Sequence, residues 1–400
     1  MRPFLLAFVL LAAAALAGCP SSDDAPPPTV VVGLSYVCDS RFEYFNETLA
    51  VNTRIALARH TDNGLVHTKR GKVRIQLVSM AVSGKAGSPR DIFFETVNNH
   101  DAAVILGNAC PVTATGMAEA ADELGVPYLV PVAAAPSVLE GKDLVFGTGL
   151  SMKDRALAFA AFIDRDLEAG RVAILAQKES LQLDIHTGVF KEYFAGRPDA
   201  PTAVEAYATP SEMEQCIERL AALQPDVIVY CSDAPHVFTV GKELERLGVR
   251  IPLVATQSKM LFDYAKHLPQ PPMPVYSLSF WNPEADAGES RAYAAEFEAA
   301  TGHAPGEDDV YVYDTTLRLI NAIKAANAVK AAGTATADRN SKTMSPEAIR
   351  LALASETPLT GAAGEYAFTP SAMPRQMWRL SLNDGRMSIT APQAPRSATP

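Results

Sequence analysis

Apolar and polar positions change period along this chain in a repeating way. "TVVVGLSY" (29–36) is a short β-branched run, and "NETLAVNTRIALARH" (46–60) follows with apolar residues at helical spacing. The alternation continues through the strand-like "KVRIQLVSM", a helix near "SPRDIFFETVNN", the strand "AAVILG", a helix over 112–124 and the strand-like "PYLVPV". Repeated strand–helix units predict a mainly parallel sheet covered by helices.

After residue 150 the pattern starts again. Ser151, with Asp154 three positions on, opens "SMKDRALAFAAFIDRDLEAG", and Gly170 closes it, which predicts a helix capped at both ends. "RVAILAQ", "DIHTGVFKEYFAG" and "TAVEAYA" read as strand, helix and strand. Thr209-Pro210-Ser211-Glu212 is a capping box with proline at the first helical position. "PDVIVYCSD", "HVFTVGKELERLG" and "PLVATQ" complete a second series, so two lobes are expected. Beyond them come a strand-like "VYSLSFW", a long helix within 308–332, a surface loop "GTATADRNSKT" and a capped helix "SPEAIRLALAS". "EYAFTPS" and "QMWRLSLNDGRMSI" predict a terminal antiparallel pair turning at Asn383-Asp384-Gly385, and residues 391–400 a disordered tail.

The N-terminus reads as an address. The apolar run after Arg2 predicts a signal peptide over 1–18 rather than a membrane span. Its end, Leu16-Ala17-Gly18-Cys19, resembles a bacterial lipobox, in which Cys19 becomes the lipidated first residue. Residues 19–28, with "PSSDDAPPP", form a flexible tether. The expected location is the periplasm or cell surface, with membrane attachment through lipid alone.

Four hundred residues exceed one ordinary core. A net charge of −10 without a basic cluster argues against nucleic acid, whose binding depends on Lys and Arg neutralising phosphates. With Cys19 given to lipid, Cys38, Cys110, Cys216 and Cys231 remain, and three pairings are open to them. Cys216 lies beside the Met213, Ile217, Leu220 stripe, where a buried free thiol is the plain reading. The seven histidines are scattered without metal-ligand spacing, and no CxxC, HExxH, GxSxG or Walker-type loop occurs. Gly147-Thr148-Gly149 lacks the third glycine of a dinucleotide fingerprint, and Asp308-Asp309 reads as a solvated helix cap. No enzyme activity, cofactor or metal is expected.

One turn invites a ligand. "GNACPVTAT" (107–115) joins a strand to a helix, and backbone N–H groups at a helix start favour an anion. Taken together, "VVVGLSY", "AAVILGNACPVTATGMAEAADELGVPYLVPVAAAPSV", "VFGTGLSMKDRALAFAAFI", "RVAILAQKES", "PDVIVYCSDAPHVFTVGKELERLGVRIPLVATQ", "YAAEFEAATGHAPGEDDVYVYDTTLRLINAI" and "LTGAAGEYAF" resemble, in this order, the type I periplasmic binding proteins. The likeness is to the leucine/isoleucine/valine-binding receptors of ABC transporters, and it covers nearly all of 29–390. It implies an α/β fold of two Rossmann-like lobes joined by three crossovers, with a ligand cleft between them. Lobe 1 is expected to hold 29–147 plus 277–332, and lobe 2 148–276 plus 346–390. The crossovers are expected near 147–150, near 272–278 and in the loop 333–345.

The resemblance also implies a pocket, and here the chain departs from the family. The serine that grips an amino-acid carboxylate falls on Pro111, and the threonine of the next strand-end turn on Ala134. The expected tyrosines fall on Leu181 and on Asp233 or Ala234, and the carboxylate that pairs with the ligand ammonium falls on Gln257. Proline offers neither hydroxyl nor N–H. An ordinary α-amino acid held in the family manner is therefore not expected. Val112, Thr113, Val132 and Ala133 complete the expected wall, and Tyr36, Tyr44, Trp281 and Tyr311, with Phe42, lie at segment ends that face the cleft. Some family members pair a cysteine at position 110 with one after the second strand. That partner is absent here, and Cys38 is expected to replace it in a Cys38–Cys110 disulfide. The implied function is delivery of a less polar small ligand to an ABC-transporter permease. The alternative is an envelope regulatory lipoprotein that uses the same fold for protein contacts.

Overall fold

A computed structural model describes residues 26–37, 44–69, 71–82, 88–132, 135–147, 151–178, 180–195, 203–232, 237–267, 270–282, 288–329, 344–355, 359–366 and 378–391. Residues 1–18, Cys19, Cys38 and residues 392–400, on which the expected signal peptide, lipidation, disulfide and tail fall, lie outside these residues. No helix among those described is long and apolar enough to cross a membrane.

The first half alternates β1 (Thr29–Val37), α1 (Tyr44–His60), β2 (Leu65–Thr68), β3 (Gly71–Val82), α2 (Pro89–His100), β4 (Ala102–Gly107), α3 (Pro111–Leu124), β5 (Tyr128–Val130), α4 (Pro136–Leu139) and β6 (Val145–Gly147). These strands form one sheet in the order β2-β3-β1-β4-β5-β6, parallel except for the β2–β3 pair. The second series runs α5 (Met152–Arg165), β7 (Val172–Gln177), α6 (Leu181–Tyr193), β8 (Ala203–Tyr207), α7 (Pro210–Ala222), β9 (Val227–Cys231), α8 (Val237–Arg246), β10 (Leu253–Ala255), α9 (Ser258–His267) and β11 (Val275–Ser279). Then follow α10 (Glu289–Thr301), α11 (Glu307–Val329), α12 (Pro346–Ala354), the β12 (Leu359–Gly361) and β13 (Gly364–Tyr366) hairpin, β14 (Trp378–Asn383) and β15 (Arg386–Thr390). The second sheet has the order β15-β14-β11-β10-β9-β7-β8.

The central strands are apolar on both faces because helices cover both. Val30, Val32 and Leu34 of β1 enter a core with α1 and α11, while Val31 enters the opposite core with α2 and α3. In the second sheet Ala173 and Leu175 face α7 and α8, and Val172, Ile174 and Ala176 face α5 and α6. Local chemistry sets the helix ends: Ser88, Ser151, Thr209 and Ser345 each accept a hydrogen bond from a backbone N–H in the first turn.

Several expectations are corrected. Helix α5 ends at Arg165, with Asp166 as its cap, so Gly170 does not close it. The apolar pattern does not announce β2, α4, β6, α9, α10 or β12. Gly364–Tyr366 pairs with Leu359–Gly361, and the Asp384–Gly385 turn joins β14 to β15 alone. Both turn residues have positive φ, 47° and 74°, which suits a tight hairpin.

The lobe division also moves. Strand β11 belongs to the second sheet, so the chain returns to the first lobe only after Ser279. Helix α12 packs Ile349 and Leu353 into the first core beside α11 rather than onto the second sheet. Asp314 of α11 accepts hydrogen bonds from the backbone N–H groups of Ala362 (2.6 Å) and Ala363 (3.1 Å), which ties the β12–β13 hairpin to that lobe as well. The segment 333–345 therefore joins two helices of one lobe and is not a crossover. The third passage between lobes falls between Tyr366 and Trp378.

Candidate functional site

The two lobes touch where Arg155 of α5 and Ser258 of α9 donate to Glu307 of α11. On the first sheet, Ser35 of β1 is level with Gly107 of β4. Gly107 has φ +132° and Asn108 φ +82°, so the chain reverses sharply before α3. The turn is tied from three sides. Tyr128 Oη donates to Gly107 O (3.0 Å), Cys110 N donates to Asn108 Oδ1 (2.8 Å), and Asn108 Nδ2 donates to Ser35 Oγ (3.3 Å). Asn108 is fully buried. It went unnoticed in the sequence, although an Asx side chain satisfying the N–H two residues on is its ordinary turn chemistry.

Pro111 is the first residue of α3, and its N-cap Cys110 makes no side-chain cap. Cys110 is instead a free, buried thiol packed in the first core, so the expected Cys38–Cys110 bridge is corrected. Cys216 and Cys231 are buried free thiols too. Val112 is 74% exposed, which places an apolar side chain in the open at the helix start. Thr113 is half-buried beside it.

On the second sheet, Gln257 lies between β10 and α9, and its Nε2 donates to Ser232 O at 3.5 Å. Ser232 Oγ donates to Gln177 Oε1 at 3.0 Å, which makes a chain of uncharged polar groups across three strand ends. Leu181 opens α6, and Asp233, Ala133 and Ala134 lie outside the described residues.

Between the lobes sits a compact group that sequence reading only half found. Val132, just past β5, packs with Phe280 and Tyr311. Glu307, the first residue of α11, accepts from Tyr311 Oη (3.0 Å) and Arg155 Nη2 (3.0 Å) at Oε1, and from Ser258 Oγ (2.8 Å) at Oε2. The Arg155 guanidinium also stands 5.1 Å from the Phe280 ring centroid. Burial works against the charge on Arg155, but Glu307, Tyr311 and Asp308 outweigh it and hold its pKa above the usual arginine value. Burial and the Glu307 charge push the Tyr311 hydroxyl well above the usual phenol range. Nearby, Tyr44, 39% exposed, donates to Asp308 Oδ2 (3.0 Å), and Lys259 Nζ lies 3.7 Å from its ring centroid.

Arg155, Glu307, Ser258 and Phe280 carry no local motif. Arg155 and Glu307 are 152 positions apart, and only the fold joins them. Of the expected aromatics, Tyr44 and Tyr311 reach this region and Tyr36 packs against the first core. Trp281 does not serve as a wall. It is buried in the first core and its indole N–H donates to Ser290 Oγ at 2.8 Å, so Phe280 takes the place expected of it.

Asp308-Asp309 is not a solvated pair. Asp309 is buried and accepts from Gly306 N (2.8 Å) and Asn52 Nδ2 (2.8 Å), so it caps the helix from inside. Burial raises its pKa above 3.8, although both hydrogen bonds oppose the shift. A raised folded value means stability that is present below the unfolded pKa and lost as pH rises through the folded one. Asp309→Asn is thus expected to gain stability relative to wild type between about pH 4 and about pH 7. Denaturant unfolding at both pH values checks it, and an unchanged difference would refute it.

The match to known proteins agrees with this geometry. A family model described as periplasmic binding protein matches residues 29–380, and the chain belongs to that family. No curated protein matches at significant similarity. Among solved structures, a leucine-binding protein from Thermotoga maritima has 16% identity and TM-score 0.72, covering 91% of this chain and 98% of its own. An ABC-transporter solute-binding protein from R. palustris in complex with benzoate has 16% identity and TM-score 0.72, covering 92% and 98%. A second from R. palustris, in complex with 4-hydroxybenzoate, has 18% identity and TM-score 0.70, covering 90% and 95%. At these identities the likeness shows the shared two-lobed α/β fold.

Proposed function

We propose that this protein is an extracytoplasmic receptor that delivers a small ligand to an ABC importer, that it catalyses nothing, and that Cys19 anchors it by lipid beyond a cleaved signal peptide and the 19–28 tether. The ligand is not a free α-amino acid held in the family manner. One observation carries that choice: Pro111 occupies the first position of α3, with no hydroxyl and no N–H, and Cys110 supplies no cap in its place. A carboxylate buried without its donors loses several kcal/mol, on the order of 2–7 for an uncompensated polar group. Gln257 reinforces the point, because a neutral amide does not repay the desolvation of an ammonium.

Supporting this reading, relatives of the same fold include receptors solved with benzoate and 4-hydroxybenzoate as well as a leucine-binding protein. Val112, Thr113, Val132, Gln257 and Tyr311, with Ala133, Ala134, Leu181 and Asp233 from the aligned positions, are assigned to the ligand wall. Native mass spectrometry of protein extracted from membranes with mild detergent tests the whole reading. The expected spectrum shows acyl mass on Cys19 and a retained small molecule. Calorimetry showing tight leucine or valine binding would refute the ligand assignment.

A further inference from the structure

The contact between the lobes contains an imbalance between two charged groups. Both oxygens of the Glu307 carboxylate are satisfied, by Arg155 and Tyr311 on one and Ser258 on the other. Glu307 also sits at the first position of α11, where the helix dipole favours a negative charge. It does not depend on the whole charge of Arg155.

Arg155 stands the other way. Its guanidinium has N–H donors in a rigid fork, and among the described residues only Nη2 makes a hydrogen bond, to Glu307. Its side chain keeps 18% of its exposure, whereas that of Glu307 keeps 5%. The ring of Phe280 lies against one face of the guanidinium, Tyr311 and Val132 pack on Phe280, and Asp308 adds a second negative charge nearby. A planar cation with spare donors, held in place by a saturated carboxylate and an aromatic ring, is built to take a second anion.

We infer that Arg155 is the anion receptor of the cleft, and that it takes the carboxylate of a small monocarboxylate without an α-amino group. The inference rests on the receptor reading above and adds the ligand class. The anion site is then moved away from the α3 turn, where Pro111 removed the family's grip, to the start of α5 on the opposite lobe. Glu307 is a positioning residue, because it orients the fork. The chain Gln177–Ser232–Gln257 carries no charge of its own to pair with an ammonium.

The test is calorimetry on the folded full chain with charged and uncharged probes of equal shape: benzoate against benzamide, and isovalerate against isovaleramide. Wild type is expected to bind at least one acid about 30-fold more tightly than its amide, the size of a charge-assisted hydrogen bond. In Arg155→Gln that preference is expected to fall to about threefold or less. Because this variant leaves Glu307 without its cation, although Tyr311 and Ser258 still donate to it, Arg155→Gln/Glu307→Gln serves as a neutral second variant with the same expected loss. Equal binding of acid and amide by wild type, no binding of either acid, or a preference that survives in both variants would overturn the inference. A retained ligand of another class, seen by native mass spectrometry, would sink this inference and leave the receptor reading standing.

Discussion

Gly107→Ala is expected to destabilise the protein by about 4 kcal/mol, from backbone strain and overpacking together. Gly107 has φ +132°, a region that side-chain-bearing residues scarcely enter. A Cβ there would meet Ser35 O at 2.8 Å and Leu49 Cδ2 at 2.9 Å. The first contact is with the backbone of the central strand β1, which cannot step aside as a side chain would. The same residue accepts the Tyr128 hydroxyl hydrogen bond and leads into Asn108, so the start of α3 would shift with it. Urea unfolding followed by far-UV circular dichroism measures the loss. A change below about 1 kcal/mol, the size of an ordinary surface substitution, would mean that the turn relaxes freely.

The second large effect lies far from the cleft. Asp314→Ala is expected to cost about 3 kcal/mol, because it leaves one buried and one half-buried N–H group without their acceptor. Asp314 is fully buried, and the N–H groups of Ala362 and Ala363 both point to it. Among the described residues the two strands of the β12–β13 hairpin pair only with each other, so the carboxylate is its polar tie to α11 beside the packing of Ala362. Limited proteolysis is therefore expected to cut the variant near the hairpin well before wild type. Equal cutting, together with unchanged stability, would show that apolar packing around Ala362 suffices to hold the hairpin.

Both predictions concern places where one residue type is demanded by its surroundings, and the sequence exposes them unequally. The glycine before "NACP" stands out, because a strand ends there and a helix begins. Asp314 does not stand out. In "DVYVYDTTLRL" it is one acid among apolar residues, and its partners are backbone groups 48 and 49 positions away. Asp309 was misread for the same reason: a carboxylate in a first turn resembles a solvated cap until Asn52 of α1 and the packing of α10 enclose it.

The candidate site divides in the same way. The turn at 107–115, the strand-end positions Val132 and Gln257, and Tyr311 were legible, because strand ends follow from the apolar pattern and ligands in such sheets lie beyond them. That the start of α3 offers neither hydroxyl nor N–H at Pro111 was legible as well, because it depends on residue type alone. The pairing of Arg155 with Glu307, the stacking on Phe280 and the withdrawal of Trp281 into the core were not. Each requires two segments to meet that are distant in the chain, and no local property of either names the other.

By itself, then, the sequence determined the alternation of strands and helices, the caps that end them, the presence of two lobes and the chemistry missing at Pro111. These are short-range matters of periodicity, capping and side-chain type. Tertiary structure alone decided that α12 and the β12–β13 hairpin belong to the first lobe, that Cys110 stays a free thiol, and that the Arg155–Glu307 ion pair joins the two lobes. An amphipathic helix specifies that it has a face to bury but not which sheet will cover it. That choice is made by the surfaces that remain when the whole chain is packed.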